Sequence, residues 1–219
     1  MEKVAIKGVL FDLDGTLLYT LEDIRASVNV PLANRGLELL TIEECRKNVG
    51  NGLRNTIKGC FLDRGYIANE KELDIALSEL HEYYNQNPAK YSKPYERIID
   101  FLQDIKIPFG ILSNKDDKIV QQIIPIVFPK INFNFISGAK NGILKPSPKS
   151  VIEFCNQENI NTKNLLFVGD SEVDYNTAVN SNCQVALVTW GYRDREELIK
   201  FDSLIVDTVD QLRRIINEN

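Results

Sequence analysis

A single histidine, His81, stands in this chain of 219 residues. Any mechanism or metal site that needs two or more imidazoles is therefore excluded, including the two-histidine zinc pattern of metalloproteases. The four cysteines, Cys45, Cys60, Cys155 and Cys183, lie far apart with no C-x-x-C pair, so neither a zinc knuckle nor a redox motif is written here. Read as reduced thiols, they predict a cytoplasmic protein. Positive charge is not in excess: 26 Lys and Arg face 31 Asp and Glu, a formal net charge of -5, which leaves no electrostatic footprint for nucleic acid or an anionic membrane. No apolar stretch approaches membrane-spanning length, and the opening MEKVAIKGVLFDLDG is too short and wrongly flanked for a signal peptide. With 12 Gly, 8 Pro and no low-complexity tract, collagen-like, disordered and disulfide-scaffold chains are excluded too, and 43% hydrophobic residues predict a soluble globular protein. What the sequence has in surplus is carboxylate. If a metal is bound, acids must hold it.

The length fits one domain plus an insert. Short apolar runs at Val9-Leu10-Phe11, Phe109-Gly110-Ile111-Leu112, Leu165-Leu166-Phe167-Val168 and Val185-Ala186-Leu187-Val188 read as strands buried on both faces, with Leu204-Ile205-Val206 a shorter candidate. Ile98, Ile99, Phe101, Leu102 and Ile105 recur at helical spacing, with Pro94 suited to a first helical position, and Asp194 with Glu197 forms a capping pattern. Strand and helix alternate through the second half, as in a parallel sheet covered by helices. From about Leu21 to Tyr91 the pattern is helical throughout; Leu73, Ala76, Leu77, Leu80 and Tyr84 make one apolar stripe over 70–84. A helical insertion after the first strand is expected to lie over the carboxyl ends of the strands, where open α/β sheets bind ligands.

Four polar stations interrupt this apolar framework. In Phe11-Asp12-Leu13-Asp14-Gly15-Thr16, period-two alternation points Asp12 and Asp14 to one side, and Gly15 lets the chain leave steeply and bring N–H groups near an anion. Two carboxylates in one small site either bind a hard cation or divide into nucleophile and proton carrier. A hairpin turn at Asp-Gly is the plain alternative. In Ile111-Leu112-Ser113-Asn114 a buried strand runs into a hydroxyl and an amide, uncharged donors suited to phosphate oxygens, or into the cap of a helix beginning near Asp116. Lys145-Pro146-Ser147-Pro148 presents an ammonium on a restricted backbone, although a lone lysine is more often a solvated surface charge. In Gly169-Asp170-Ser171-Glu172-Val173-Asp174, Asp170 ends a strand and Asp174 falls in the first turn of the next helix, placed for a metal or merely for an N-cap with an acidic first turn. Three of the stations end apolar runs, so parallel strands bring them to one edge.

The order DLDGT, SN, KP and GDSEVD resembles the haloacid dehalogenase-like superfamily, phosphatase branch, over essentially the whole chain. The resemblance implies a Rossmann-like α/β core at 1–17 and 92–219 with an inserted α-helical cap at 18–91. It makes Asp12 the nucleophile that becomes an aspartyl-phosphate and Asp14 the group that protonates the leaving oxygen and then activates water. Mg2+ would be bound by the Asp12 carboxylate, the Asp14 carbonyl and Asp170, with Asp174 a further ligand or an anchor. Gly15, Thr16, Ser113, the backbone at Asn114, and Lys145 would hold the phosphoryl group. The physics agrees with that division: a carboxylate attacking a phosphate monoester approaches another anion, so positive charge must already be in the site, and the rest is positioning.

Gly50-Asn51-Gly52 and Trp190-Gly191-Tyr192-Arg193 look like the phosphoglycolate phosphatase group, though the first reads equally as a turn and the second as a strand exit. The partner expected is a small phosphorylated metabolite, phosphoglycolate first, with pyrophosphate, sugar phosphates and nucleotide monophosphates open. Arg54, Lys47 and Lys58 surround the GNG turn and are candidates for a substrate carboxylate, or simply solvated charges. His81 fits a boundary position on its helix. Dehalogenation is disfavoured because that branch lacks the second Asp of the DxD. A β-phosphoglucomutase-like phosphomutase shares the chemistry, and a non-catalytic phosphate-binding module stands as a third reading.

Overall fold

Alternating strands and helices order the chain as β1 (Gly8–Phe11), β2 (Leu18–Tyr19), α1 (Leu21–Asn34), α2 (Ile42–Asn48), α3 (Leu53–Leu62), α4 (Glu70–Gln86), β3 (Lys93–Pro94), α5 (Ile98–Asp104), β4 (Phe109–Asp116) and α6 (Asp117–Val127). The remainder runs β5 (Phe135–Ala139), α7 (Lys149–Gln157), β6 (Leu165–Gly169), α8 (Glu172–Ser181), β7 (Gln184–Val188), α9 (Arg195–Leu198), β8 (Leu204–Val206) and α10 (Val209–Asn217). These come from a computed structural model that describes residues 4–50 and 52–217.

The five apolar runs become strands of one parallel sheet, ordered β5-β4-β1-β6-β7-β8. Its central strand explains why those runs are continuous rather than alternating. Val9 and Phe11 face the larger core with Ile111, Leu166 and Val168, while Leu10 faces the opposite side with Leu112, Leu165 and Phe167. A strand covered on both faces has no solvent side on which a polar residue would be favoured. Phe11 also meets Phe101 of α5 edge-to-face at 5.9 Å. Such pairs add about 0.5–1.5 kcal/mol beyond the burial itself.

One expectation needs correction, and one strand lies outside the apolar pattern. Pro94 does not open a helix: it pairs with Leu18 in the two-stranded ribbon β2–β3, and α5 begins only at Ile98, after Arg97 has taken a left-handed conformation at φ 65. The edge strand β5 is also absent from the apolar pattern, because only Phe135 and Ile136 precede the turn-like Ser137-Gly138.

Between β2 and β3 the chain is helical, and α1 packs against α2, α3 and α4. Thr41 with Glu44 and Asn69 with Glu72 form capping boxes that start α2 and α4, each cap worth about 1 kcal/mol. Leu73, Ala76, Leu80 and Tyr84 form the buried stripe of α4. Both chain crossings into this helical unit are tied together. Leu18 and Tyr19 pair with Pro94 and Lys93, and the buried Asp23 carboxylate accepts the N–H of Tyr91 and both the N–H and hydroxyl of Ser92. Among the described residues, no helix is long and apolar enough to cross a membrane.

Candidate active site

Parallel pairing of β4, β1 and β6 carries three of the four stations to one edge of the sheet. Asp12 follows β1 directly, its N–H still bonded to the Val168 carbonyl of β6. Asp170 follows β6. Ser113, Asn114 and Lys115 occupy the last turn of β4, where the register against β5 shifts between Leu112 and Asp116. That irregularity re-aims side chains at a strand end. Lys145 arrives from the loop after β5, clamped by Asn114, whose amide oxygen accepts the Lys145 N–H at 2.6 Å and whose amide nitrogen donates to the Lys145 carbonyl at 3.1 Å.

The Lys145 ammonium is buried and donates to Asp12 Oδ1 and Asp174 Oδ1, both at 2.6 Å. It is therefore no surface charge. Asp174 sits in the acidic first turn of α8. Its Oδ2 accepts the N–H groups of Asp170 and Ser171 and the Ser171 hydroxyl, forming the capping box of α8, while Oδ1 faces Lys145. Asp170 Oδ2 accepts the Tyr192 N–H at 2.6 Å. The second oxygen of Asp12 and of Asp170 takes no hydrogen bond among the described residues.

Asp12, Asp170 and Asp174 bring carboxylate oxygens within 4.8 Å of one another, all buried. Three carboxylates share one ammonium, so the cluster carries surplus negative charge in a buried place. Burial pushes Asp170 up to about 7, with Asp174 adding to the rise. Burial likewise holds Asp12 well above the usual carboxylate range, Lys145 opposing and Asp174 and Asp170 reinforcing the rise. Burial pulls the Lys145 ammonium down, but the facing Asp12 and Asp174 carboxylates more than offset it, and its net shift is upward. All-oxygen donors, two of them with a free oxygen, and unbalanced negative charge are the requirements of a hard divalent cation. The donor set fits such an ion.

Asp14 lies beside this cluster and is held from two directions. The Thr20 hydroxyl donates to Oδ1 at 2.7 Å, and Lys115 Nζ reaches both oxygens at 3.1 Å. Tyr192 links the two halves of the site, since its N–H holds Asp170 and its hydroxyl meets the Thr20 hydroxyl at 2.8 Å.

Glycine is required at two positions by close approach. A Cβ on Gly15, at φ +89, would strike the Asp170 carboxylate, and one on Gly191 would strike Asp170 Cβ and Oδ2. Substitution would force the metal-ligand candidate to move. The expected anion donor at Gly15 is otherwise engaged, because its N–H donates to the Leu18 carbonyl at 2.8 Å. Thr16 is not among the cleft-lining residues; its hydroxyl is buried with no hydrogen-bond partner among the described residues, and its carbonyl accepts the Trp190 indole N–H. Ser113 is buried at the strand end, its hydroxyl accepting the Lys115 N–H at 3.2 Å, which leaves its own proton to donate. Neither Ser113 nor Asn114 caps α6; Asp116 does.

A cleft between sheet edge and helical unit is lined on the helical side by Ile24, Val49, Gly50, Gly52, Leu53 and Thr56. None of these is charged. Its cations, Lys115, Lys145 and Arg193, all come from the sheet side. Arg54 is instead engaged by Glu70 and Asp74, and Lys47 and Lys58 are exposed and do not line the cleft, although Lys47 lines a neighbouring depression with Tyr192 and Arg193. In the GNG turn, Gly52 is the N-cap of α3, and Asn51 lies outside the described residues. Arg193 is paired with Glu172 and donates to the Val49 carbonyl, so it bridges sheet and helical unit, as does Asn114 by donating to the Gly50 carbonyl.

The sequence profile of the haloacid dehalogenase-like hydrolases matches residues 9–188. The chain belongs to this family. Among the curated haloacid dehalogenase-like relatives, the phosphoglycolate phosphatase of Aquifex aeolicus is 29% identical over 206 residues, 92% of this chain and 91% of that one. The N-acetylmuramic acid 6-phosphate phosphatase of Pseudomonas aeruginosa is 26% identical, covering 90% and 88%. A crystal structure of a predicted phosphoglycolate phosphatase from Haemophilus somnus superposes with a TM-score of 0.84 at 27% identity, over 95% of this chain and 97% of the other. This haloacid dehalogenase-like enzyme is thus a hydrolase of the phosphatase kind. Reading the motifs alone missed Lys115 and Thr20. The available signal for Lys115 was its period-two spacing from Ser113, which puts both on one side of the strand end.

Proposed function

We propose that this enzyme is a Mg2+-dependent phosphatase that hydrolyses a small carboxylated phosphate monoester of the phosphoglycolate type through an aspartyl-phosphate on Asp12. The observation that carries the reading is the convergence of Asp12, Asp14, Ser113, Lys145 and Asp170 at one sheet edge beneath an uncharged helical wall. Residues 18–91 act as the cap, excluding water and limiting the size of the leaving group. In this reading Mg2+ is held by the Asp12 and Asp170 carboxylates and the Asp14 carbonyl, and supplies the positive charge that lets two anions approach. Asp174, with both oxygens already in use, serves as the anchor of Asp170 and Lys145 rather than as a ligand.

In the first step an Asp12 oxygen forms a bond to phosphorus as the bond to the leaving oxygen breaks, and Asp14 gives that oxygen a proton. In the second step water attacks the same phosphorus, the Asp12 oxygen departs with its electron pair, and Asp14 takes a proton from the water. Lys145 and the Ser113 hydroxyl hold the equatorial oxygens in line throughout. The substrate carboxylate is met by a cation of the sheet side, since the helical wall contributes none. The free thiols Cys45, Cys60, Cys155 and Cys183 support a cytoplasmic setting.

A second reading, an acidic sugar phosphate, is favoured by the N-acetylmuramic acid 6-phosphate phosphatase relative. The test is a panel with Mg2+ comparing kcat/KM for phosphoglycolate, N-acetylmuramic acid 6-phosphate, pyrophosphate, neutral sugar phosphates and nucleotide monophosphates. Phosphoglycolate is expected to lead. A strong preference for pyrophosphate or a neutral sugar phosphate overturns the substrate class. Isomerised sugar phosphate in place of inorganic phosphate makes the enzyme a mutase, and no turnover on any member leaves a binding module.

A further inference from the structure

Lys115 is a buried cation to which the two chemical steps above assign no part. Its side chain is 1% exposed, and its ammonium faces both oxygens of Asp14 at 3.1 Å. On another side lies the ring of Tyr84, from the buried stripe of α4, 4.9 Å from Nζ to the centroid. Burying an ammonium costs several kcal/mol, and an apolar side chain of similar volume would fill the same space without that penalty. The cation is retained opposite one particular carboxylate, whose remaining contact is the Thr20 hydroxyl at 2.7 Å.

A carboxylate that must deliver a proton to the leaving oxygen and then accept one from water has to keep its orientation through two steps. An aspartate side chain has two torsions to fix, and a misplacement of about 1 Å can cost a hundredfold in rate. Thr20, at the start of α1, and Lys115, at the end of β4, grip the Asp14 carboxylate from opposite elements, and α4 backs the lysine through Tyr84.

We propose that Lys115 is a positioning residue for the acid/base step, fixing the orientation of Asp14 through an ion pair that Thr20 completes and Tyr84 of the helical unit supports. The inference rests on the reading of Asp14 as the proton carrier. Its consequence depends on the leaving group: an alkoxide departs only with a proton, whereas p-nitrophenolate departs without one.

The experiment measures kcat and KM with Mg2+ for ethyl phosphate, p-nitrophenyl phosphate and phosphoglycolate in the wild-type enzyme, Lys115→Met, Asp14→Asn and the double variant, with circular dichroism confirming the fold. Lys115→Met should lower turnover of ethyl phosphate by about a hundredfold, the scale of general acid–base catalysis, and that of p-nitrophenyl phosphate only several-fold. On ethyl phosphate the double variant should be no slower than Asp14→Asn alone. Equal losses on both substrates, or additive losses in the double variant, overturn the inference while leaving Asp14 in its role. Asp14→Asn without leaving-group dependence overturns the Asp14 reading and this inference with it. A Lys115→Met defect that appears only as a raised KM for phosphoglycolate makes the lysine a substrate-carboxylate contact instead, and also overturns it. Should Lys115→Met fail to fold, Thr20→Val carries the test: a larger loss on ethyl phosphate than on p-nitrophenyl phosphate is expected, and equal losses overturn the inference.

Discussion

Replacing Lys145 by methionine keeps the aliphatic stem and removes one charge from the centre of the site. The ammonium is 2.6 Å from an oxygen of Asp12 and 2.6 Å from one of Asp174, and all three side chains are buried. Without it, Asp12, Asp170 and Asp174 face each other with no cation in hydrogen-bonding contact. Breaking a buried ion pair by removing one partner typically costs about 3–5 kcal/mol. A chain of this size loses about 2–4 °C of Tm per kcal/mol, so Lys145→Met should melt about 6–20 °C below wild type at pH 8 in chelator. Partial protonation of the carboxylates limits the loss, and that fixes the pH dependence. Burial and neighbouring carboxylates already raise Asp12 and Asp170 above their unfolded values, and removing the lysine raises them further. The native state then binds more protons than the unfolded chain, so this contribution to stability falls as pH rises. The gap to wild type should shrink at pH 5.5, and should shrink at pH 8 on adding Mg2+, which restores positive charge. Thermal unfolding followed by circular dichroism at both pH values, with chelator and with Mg2+, measures all of this. A variant that melts within about 2 °C of wild type at pH 8 in chelator would refute the reasoning, since the smallest effect expected from a broken buried pair is several-fold larger.

Asp12→Asn, nearly isosteric but a poor nucleophile, should abolish phosphate release while the protein still folds; full activity would remove Asp12 from the nucleophile's role. Gly191→Ala places a methyl group against Asp170 and 2.6 Å from the Gly15 carbonyl, so the Mg2+ concentration for half-maximal activity should rise at least tenfold, and an unchanged requirement would count against Asp170 as a ligand. Because burial and Asp174 raise Asp170 to about 7 in the metal-free protein, this group favours the folded metal-free state at acidic pH and loses that contribution as pH rises through about 7. Mg2+ should accordingly bind more weakly below pH 7 and release a proton on binding at pH 6.5 but almost none at pH 8.5; calorimetry in buffers of different ionisation enthalpy would show this, and proton release equal at both would contradict the assignment.

Strand legibility depended on burial. Val9-Leu10-Phe11 and Leu165 to Val168 lie in the middle of the sheet, where apolar side chains are needed on both faces, and so they stand out from the chain. Phe135-Ile136-Ser137 is an edge strand with a glycine near its end, and its composition is that of a loop. Pro94 looked like a helix start because its φ suits one, yet the same φ suits a two-residue ribbon, and pairing with Leu18 decides between them. Thr41 with Glu44 and Asp194 with Glu197 obey local capping chemistry, which the three-residue spacing of each pair determines.

The candidate site divides along the same line. Asp12, Asp14, Ser113 and Asp170 stand out because each follows or interrupts an apolar run, and Lys145 and Asp174 because of the KPSP and GDSEVD motifs that hold them. Partner choice was not visible. That Lys145 bonds to Asp12 and Asp174, and Lys115 to Asp14, depends on the order of strands in the sheet and on a register shift in β4, neither of which a linear pattern encodes. Arg54 and Arg193 make the contrast plain: both are arginines near glycines, but Arg54 turns to Glu70 and Asp74 on a neighbouring helix while Arg193 reaches the cleft. Residue chemistry along the chain determined which groups were available and what kind of reaction they suit. Only the packing of parallel strands against the inserted helices decided which charges meet, because burial makes an unpaired charge too costly and distance in space, not in sequence, selects the partner.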